Sequence, residues 1–244
     1  EAIFILVSPE RRQFLYQWMD RYIFPMDQIE LEDISTDYSI FTLIGSNSKS
    51  LLTTFGLTNL PESSTHLLLD CWNTQVLVAS GCGLALPGYT LILPQQEGQG
   101  VWSELLKLDA VVMSNAEWES LRIQQGRPSP EQELTEDYNP LEAGLWSSIS
   151  FNKGCYIGQE TITRLNTYQG VKQRLWGIRL AAPTSPGTII TLEGEKVGIL
   201  TSCTDNFGLG YIRTKAGGEG LQVQVGDTPG EVVRVPFLTH EYYT

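Results

Sequence analysis

After residue 170 the chain stops carrying helical spacing, and this one change constrains the fold more than any other feature. Strand-like runs at 174–180, 188–192, 196–202, 208–213, 222–225 and 231–236 follow one another, separated by turn residues such as Pro186-Gly187 and Gly217-Gly218-Glu219-Gly220. Short strands with turns at this frequency fit a small β-barrel, in which closure removes the free edges an open sheet would expose.

The earlier residues read differently. The apolar run at 2–7 ends at Ser8-Pro9, which predicts a strand and then a helix with Ser8 as N-cap and Pro9 at its first position. Phe14, Leu15, Trp18, Met19 and Tyr22 recur at helical spacing and predict a core stripe. Runs at 29–34 and 38–44 read as strands, Ser46 can cap a helix over 47–55, and further strands are expected near 66–72, 75–79 and 89–93. This β-α-β-β-α-β order suggests a ferredoxin-like half. Helices follow near 101–108 and 116–125, the second capped by Ser114 or Asn115 and stopped by Gly126. The connection over 126–140, with Pro128, Pro130 and Pro140, is of a length more often functional or mobile than neutral. On this reading an α+β region covers 1–170 and the barrel covers 171–244.

The connection leads to Lys153-Gly154-Cys155-Tyr156-Ile157-Gly158-Gln159-Glu160. Gly154 and Gly158 let the backbone turn sharply on either side of Cys155, and the run from Gln159 to Thr167 has few breakers before Gly170. Cys155 is therefore expected on a loop just before a helix. The unpaired amides of a helix start favour negative charge and Lys153 adds a cation, so both favour the thiolate, which is the reactive and metal-binding form. Glu160 and Arg164 are four apart with the acid first, the ordering that supports a helix. Against this, a single cysteine among glycines is most often a small buried apolar residue. The residues alone reach a poised thiol and no further.

The octapeptide, followed by Arg164, resembles the defining motif of the YgfZ family, folate-binding relatives of the glycine-cleavage T-protein (aminomethyltransferase) that support iron–sulfur proteins. Upstream, Leu121-Arg122-Ile123-Gln124-Gln125-Gly126-Arg127-Pro128, then Glu133-Leu134, Pro140-Leu141-Glu142-Ala143-Gly144-Leu145 and Ile149-Ser150-Phe151 follow the order expected in that superfamily. The resemblance implies an α+β, T-protein-like folate-binding domain, incomplete at its N-terminus, with the family's small barrel behind it. It implies tetrahydrofolate as cofactor, Cys155 as the reactive or ligand-contacting thiol and Lys153 as its activating neighbour. Arg122 and Gln124 are its candidates for the folate site, while Gln159, Glu160 and Arg164 either contact ligand or build the helix. Gln124 stands where the T-protein pattern carries a pterin-holding glutamate, and an amide bonds a pterin edge less strongly than a carboxylate. The run at 2–7 resembles a strand from the middle of the family's first domain. Several dozen residues, including the aspartate used by true aminomethyltransferases, are expected before it in full-length relatives and have no counterpart in this chain.

Other chemistries find little support. Cys71, Cys82, Cys155 and Cys203 lack CxxC spacing, so no zinc or cluster site is legible and no metal ligand is assigned. His66 and His240 are the two histidines, each expected at the surface or at a cap, and neither is placed near Cys155 by sequence. No phosphate-binding glycine loop is present. Sixteen basic against twenty-eight acidic side chains give a net charge of −12, which opposes nonspecific binding to nucleic acid and to anionic membranes. No apolar run is long enough for a membrane span. Reduced thiols suggest the cytoplasm, or an organellar matrix or stroma if a transit peptide has been removed.

Three functions remain in view. The leading one is a folate-dependent factor for iron–sulfur cluster assembly or repair, with iron–sulfur proteins or their assembly machinery as partners. The second is a tetrahydrofolate-dependent aminomethyltransferase-like one-carbon enzyme. The third is a non-catalytic scaffold or assembly subunit that retains the fold.

Overall fold

The computed structural model describes residues 2–71 and 74–243. The chain divides into two compact units, Glu1–Val112 and Met113–Thr244.

In the first unit, β1 (Tyr38–Ile44), α2 (Ser48–Phe55), β2 (His66–Cys71), β3 (Thr74–Ser80), β4 (Gly88–Pro94) and α3 (Gln95–Lys107) follow a helix α1 (Arg12–Asp20). The sheet runs β1-β4-β3-β2, and every neighbouring pair is antiparallel. Period-two alternation puts Val76 and Val78 of β3 and Leu91 and Leu93 of β4 into one core with Leu52 and Phe55 of α2 and Val101 and Leu105 of α3. Helix α2 stops at Gly56, whose φ of 110° suits a residue without a Cβ. Helix α3 begins six residues before the 101 expected from sequence, because Gly98 and Gly100 read as breakers. Gly98 is instead the place where α3 approaches β1, and a Cβ there would collide with the Ser39 side chain.

Three expectations for this unit fail. Residues 2–7 and 29–34 form no strand, since no described strand offers them a ladder. The ferredoxin-like β-α-β-β-α-β order is therefore not formed among the described residues; β1-α2-β2 survives from it and continues into an antiparallel meander. The stripe on α1 forms a helix but no core, with Phe14, Trp18 and Tyr22 about half exposed and no α1 residue buried. Ser8 precedes a 3-10 turn over Pro9–Arg11 without a side-chain capping bond. Asn47, not Ser46, is the N-cap of α2. Trp72, the expected end of β2, lies outside the described residues.

The second unit contains α4 (Asn115–Gln125), α5 (Gln159–Thr167) and six strands: β5 (Gln173–Leu180), β6 (Ile189–Leu192), β7 (Glu195–Thr204), β8 (Phe207–Arg213), β9 (Gln222–Val225) and β10 (Thr228–Val233). The strands close into an antiparallel barrel in the order β10-β5-β8-β7-β6-β9. Ile178, Ile190, Leu200, Ile212, Val225 and Val232 belong to one core cluster of the barrel, each fully buried. The last strand starts three residues before the expected 231, because the turn at Gly226-Asp227 brings Thr228 directly against Val225. Outside the barrel, Ile123 of α4 packs with Ala143, Leu175, Leu209 and Tyr211. Ile162 of α5 packs with Leu141, Trp146 and Val171. The fold class is α+β followed by a small β-barrel. No helix among the described residues is long and apolar enough to cross a membrane.

Candidate functional site

The 153–160 loop enters α5 as its residue types dictate. Gly158 takes φ 88° at the N-cap, a left-handed position that a Cβ would strain. Gln159 turns back so that its Oε1 accepts a 3.0 Å hydrogen bond from the Tyr156 N–H, which holds the loop against the helix start. Ile162, one turn on, is the buried residue of α5 and ties the helix to the turn at Leu141–Trp146. Cys155 is a free, exposed thiol, so the core reading of a glycine-flanked cysteine does not apply. The Lys153 ammonium lies 4.9 Å from the centroid of the Tyr156 ring. Ile157 is 87% exposed, an apolar side chain presented to solvent beside the thiol. Glu160 in the first turn and Arg164 in the last are both exposed.

Helix α4 carries the other candidates. Ser114 caps it through a full capping box with Glu117, and Gly126 ends it at φ 82°. The two residues assigned to it part company. Gln124 is exposed, its amide 3.3 Å from the Ser120 hydroxyl. Arg122 is 3% exposed, and every N–H of its guanidinium is engaged. Its Nε donates to Glu119 at 2.7 Å and its Nη1 to Glu133 at 3.1 Å and to the Arg127 carbonyl. Its Nη2 donates to Glu119, Gln132 and, at 2.9 Å, to the Ser202 hydroxyl. Among the described residues no hydrogen bond or ion pair joins α4 to the 153–160 loop.

Glu133, with no exposed surface, is the centre of this network. Besides Arg122, its carboxylate accepts from Ser129 N–H at 2.9 Å, Thr201 Oγ1 at 2.6 Å and Ser202 Oγ at 2.5 Å. Consecutive residues of a regular strand point to opposite faces, yet Thr201 and Ser202 reach the same carboxylate. The register of β7 against β8 slips between Leu200 and Ser202, and this bulge re-aims the two hydroxyls. Tyr211 of β8 donates to the Glu133 carbonyl at 2.8 Å and stacks on Tyr138 with ring centroids 3.6 Å apart. Burial, with Glu133 second, raises the Tyr211 phenol far above its ordinary range, so it stays a donor. Burial likewise raises Glu142, which accepts from Asn139 N–H. The connection over 126–140 is thus pinned to the barrel by buried polar groups.

His240 is partly buried and caps no helix, whereas His66 is exposed, as expected. The His240 ring packs edge-on to Trp176 at 4.2 Å, and its Nε2–H donates to the Leu175 carbonyl at 2.9 Å. Burial, then the Arg174 charge, lowers its pKa to about 4, so the ring is neutral at physiological pH.

The structure therefore brings Lys153, Cys155, Gln159 and Glu160 together on one loop and helix start, leaves Arg164 a turn away, and turns Arg122 inward. Sequence reading gave no role to Gln132, Thr201, Ser202 or Tyr211. One signal was available: Thr201-Ser202-Cys203-Thr204 interrupts the apolar alternation of β7. Two surface depressions, of about 280 Å³ beside Thr191 and Gln224 and about 370 Å³ beside Ser63 and Gly88, include none of these candidates.

Residues 1–153 match the GCVT N-terminal domain family, and residues 172–238 match the CAF17 C-terminal β-barrel domain. A protein of Arabidopsis thaliana, named as a chloroplastic putative transferase, is 42% identical over 99% of this chain and 58% of its own length. The aminomethyltransferase of Halothermothrix orenii is 26% identical over 86% of this chain and 63% of its own length. The chain thus spans less than two thirds of either relative. Among solved structures, the glycine cleavage system aminomethyltransferase T from Bartonella henselae superposes with a TM-score of 0.73 at 19% identity, over 96% of this chain and 68% of that one. At that identity the likeness concerns the fold.

Proposed function

The chain belongs to the GCVT N-terminal domain family and carries a CAF17 C-terminal β-barrel behind it, and from that membership we propose a tetrahydrofolate-binding protein that supports iron–sulfur cluster assembly or repair. The observation that carries this reading is the placement of Cys155: an exposed thiol on a glycine-flanked loop at the start of α5, inside the octapeptide that resembles the YgfZ motif.

Folate presents a pterin edge of alternating donors and acceptors and a tail of carboxylates. Exposed groups of matching chemistry are present: the Gln124 amide offers donor and acceptor to the pterin edge, and Arg164 offers a cation to a carboxylate. Arg122 serves differently. Its donors are all engaged within the protein, so it positions α4 instead of touching the ligand. Gln159 builds the loop, and Glu160 remains exposed beside the thiol. Tetrahydrofolate, when bound, would supply one-carbon or redox chemistry; this chain's part is to hold it and to present Cys155.

Cys155→Ser is the test. The thiol is exposed and the hydroxyl is nearly isosteric with it, so the thermal midpoint is expected to stay within about 1–2 °C of wild type. In cells lacking the natural protein, the variant is expected to leave iron–sulfur enzyme activities at the level of the deletion. Full restoration by Cys155→Ser would show that the thiol has no role. The one-carbon transferase reading, favoured by the shared fold, predicts instead tetrahydrofolate-dependent ammonia release from an aminomethyl carrier.

A further inference from the structure

The two sides of the cysteine loop, Phe151 before it and Asn166 at the end of α5, both touch the same residue far along the chain, Tyr243. The Asn166 side chain, at the end of α5, donates from Nδ2 to the Tyr243 carbonyl at 3.1 Å and accepts on Oδ1 from the Tyr243 N–H at 2.8 Å. The Tyr243 ring packs against Phe151, two residues before Lys153, with centroids 4.9 Å apart. One residue earlier, the Tyr242 ring meets Trp146 edge-on at 5.0 Å and its hydroxyl accepts from the Val171 N–H. The tail is itself fixed to β5, where Arg174 donates to the His240 carbonyl at 2.6 Å, and to the 141–145 turn, where Thr239 N–H donates to the Gly144 carbonyl.

We propose that Asn166 and Tyr243 form a clasp that joins the entry of the cysteine loop to the end of α5 and thereby sets where Cys155 is presented. A carboxamide carries one donor edge and one acceptor edge, so it can pair with both polar groups of a single peptide residue as a neighbouring strand would. Alanine offers neither bond, and aspartate offers only the acceptor. The ring of Tyr243 adds the second anchor at Phe151. With both in place, the loop entry and the end of α5 are held together, Ile162 anchors the middle of α5, and the exposed Cys155, Ile157 and Glu160 lie between these anchors. The inference rests on this geometry alone and does not require the folate reading.

Amide hydrogen exchange on the intact protein tests it. Asn166→Ala and, separately, Tyr243→Ala are expected to raise exchange about tenfold at the hydrogen-bonded amides of residues 153–162, those of Tyr156, Gln159 and Ile162, while amides of β5 and β8 keep wild-type protection. Tyr243→Phe retains the ring on Phe151 and is expected to restore wild-type exchange. If neither alanine variant changes exchange in 153–162, the clasp does not exist. If exchange rises equally in β5 and β8, the tail is only part of the barrel's general stability and the proposal is likewise overturned.

Discussion

Replacing Arg122 by alanine is expected to cost the second unit about 3–5 kcal/mol, the effect of stranding a buried carboxylate without its cation. Glu133 has no exposed surface, and although Thr201, Ser202 and the Ser129 amide would still donate to it, its ion pair with Arg122 at 3.1 Å would be lost. Denaturant unfolding followed by tryptophan fluorescence measures the loss, since Trp146 and Trp176 both lie in this unit. Arg122→Ala combined with Glu133→Leu should be less damaging than Arg122→Ala alone, because the second change removes the stranded charge. A residue whose business was the ligand would behave in the opposite way: alanine would weaken tetrahydrofolate binding and leave unfolding nearly unchanged. This contrast separates the role that the resemblance implies for Arg122 from the role that its contacts describe.

Arg122 also illustrates what a sequence can and cannot disclose. The capping box at Ser114 and Glu117, the stop at Gly126 and the glycine-flanked entry to α5 are local, set by residues a few positions apart, and each is legible in the chain. Glu119 is a local partner of Arg122, three residues away, but Gln132, Glu133 and Ser202 lie 10, 11 and 80 residues away, and the place of Ser202 among them depends on a bulge in β7 that no turn residue announces. Asn166 meets Tyr243 across 77 residues, with nothing at either position to mark it. The barrel was legible because turns punctuate it, whereas the runs at 2–7 and 29–34 have strand composition without a ladder partner among the described residues. Composition supplies a strand's preference; a neighbouring edge supplies its hydrogen bonds.

The second large effect is a loss of stability on acidification that passes through His240. Its pKa in the folded protein is about 4, against an ordinary value of 6.5, so the unfolded chain takes up a proton first as pH falls. The contribution of this ring to stability is complete above pH 6.5 and is lost progressively as pH falls through about 4. The loss approaches about 3 kcal/mol as an upper figure, and less in practice because the ring keeps some contact with water. The charges near the ring, Arg174 on β5 and Arg234 just after β10, are both cations and both oppose protonation; the hydrogen bond to the Leu175 carbonyl acts the other way. His240→Phe keeps a ring against Trp176 but removes the titration. The wild-type stability profile should therefore fall more steeply than the variant's between pH 6.5 and 4, and parallel profiles would place the acid sensitivity elsewhere. Because His240 sits in the tail that carries Tyr243, the same acidification should loosen the cysteine loop.

Isothermal titration of the natural full-length protein with tetrahydrofolate, under reducing conditions at neutral pH, tests the functional reading most directly. The reading predicts saturable binding at one site, weakened by Gln124→Ala and retained in Cys155→Ser, whose thiol is presented to the ligand without being needed to hold it. Absence of any saturable binding at millimolar tetrahydrofolate would contradict it.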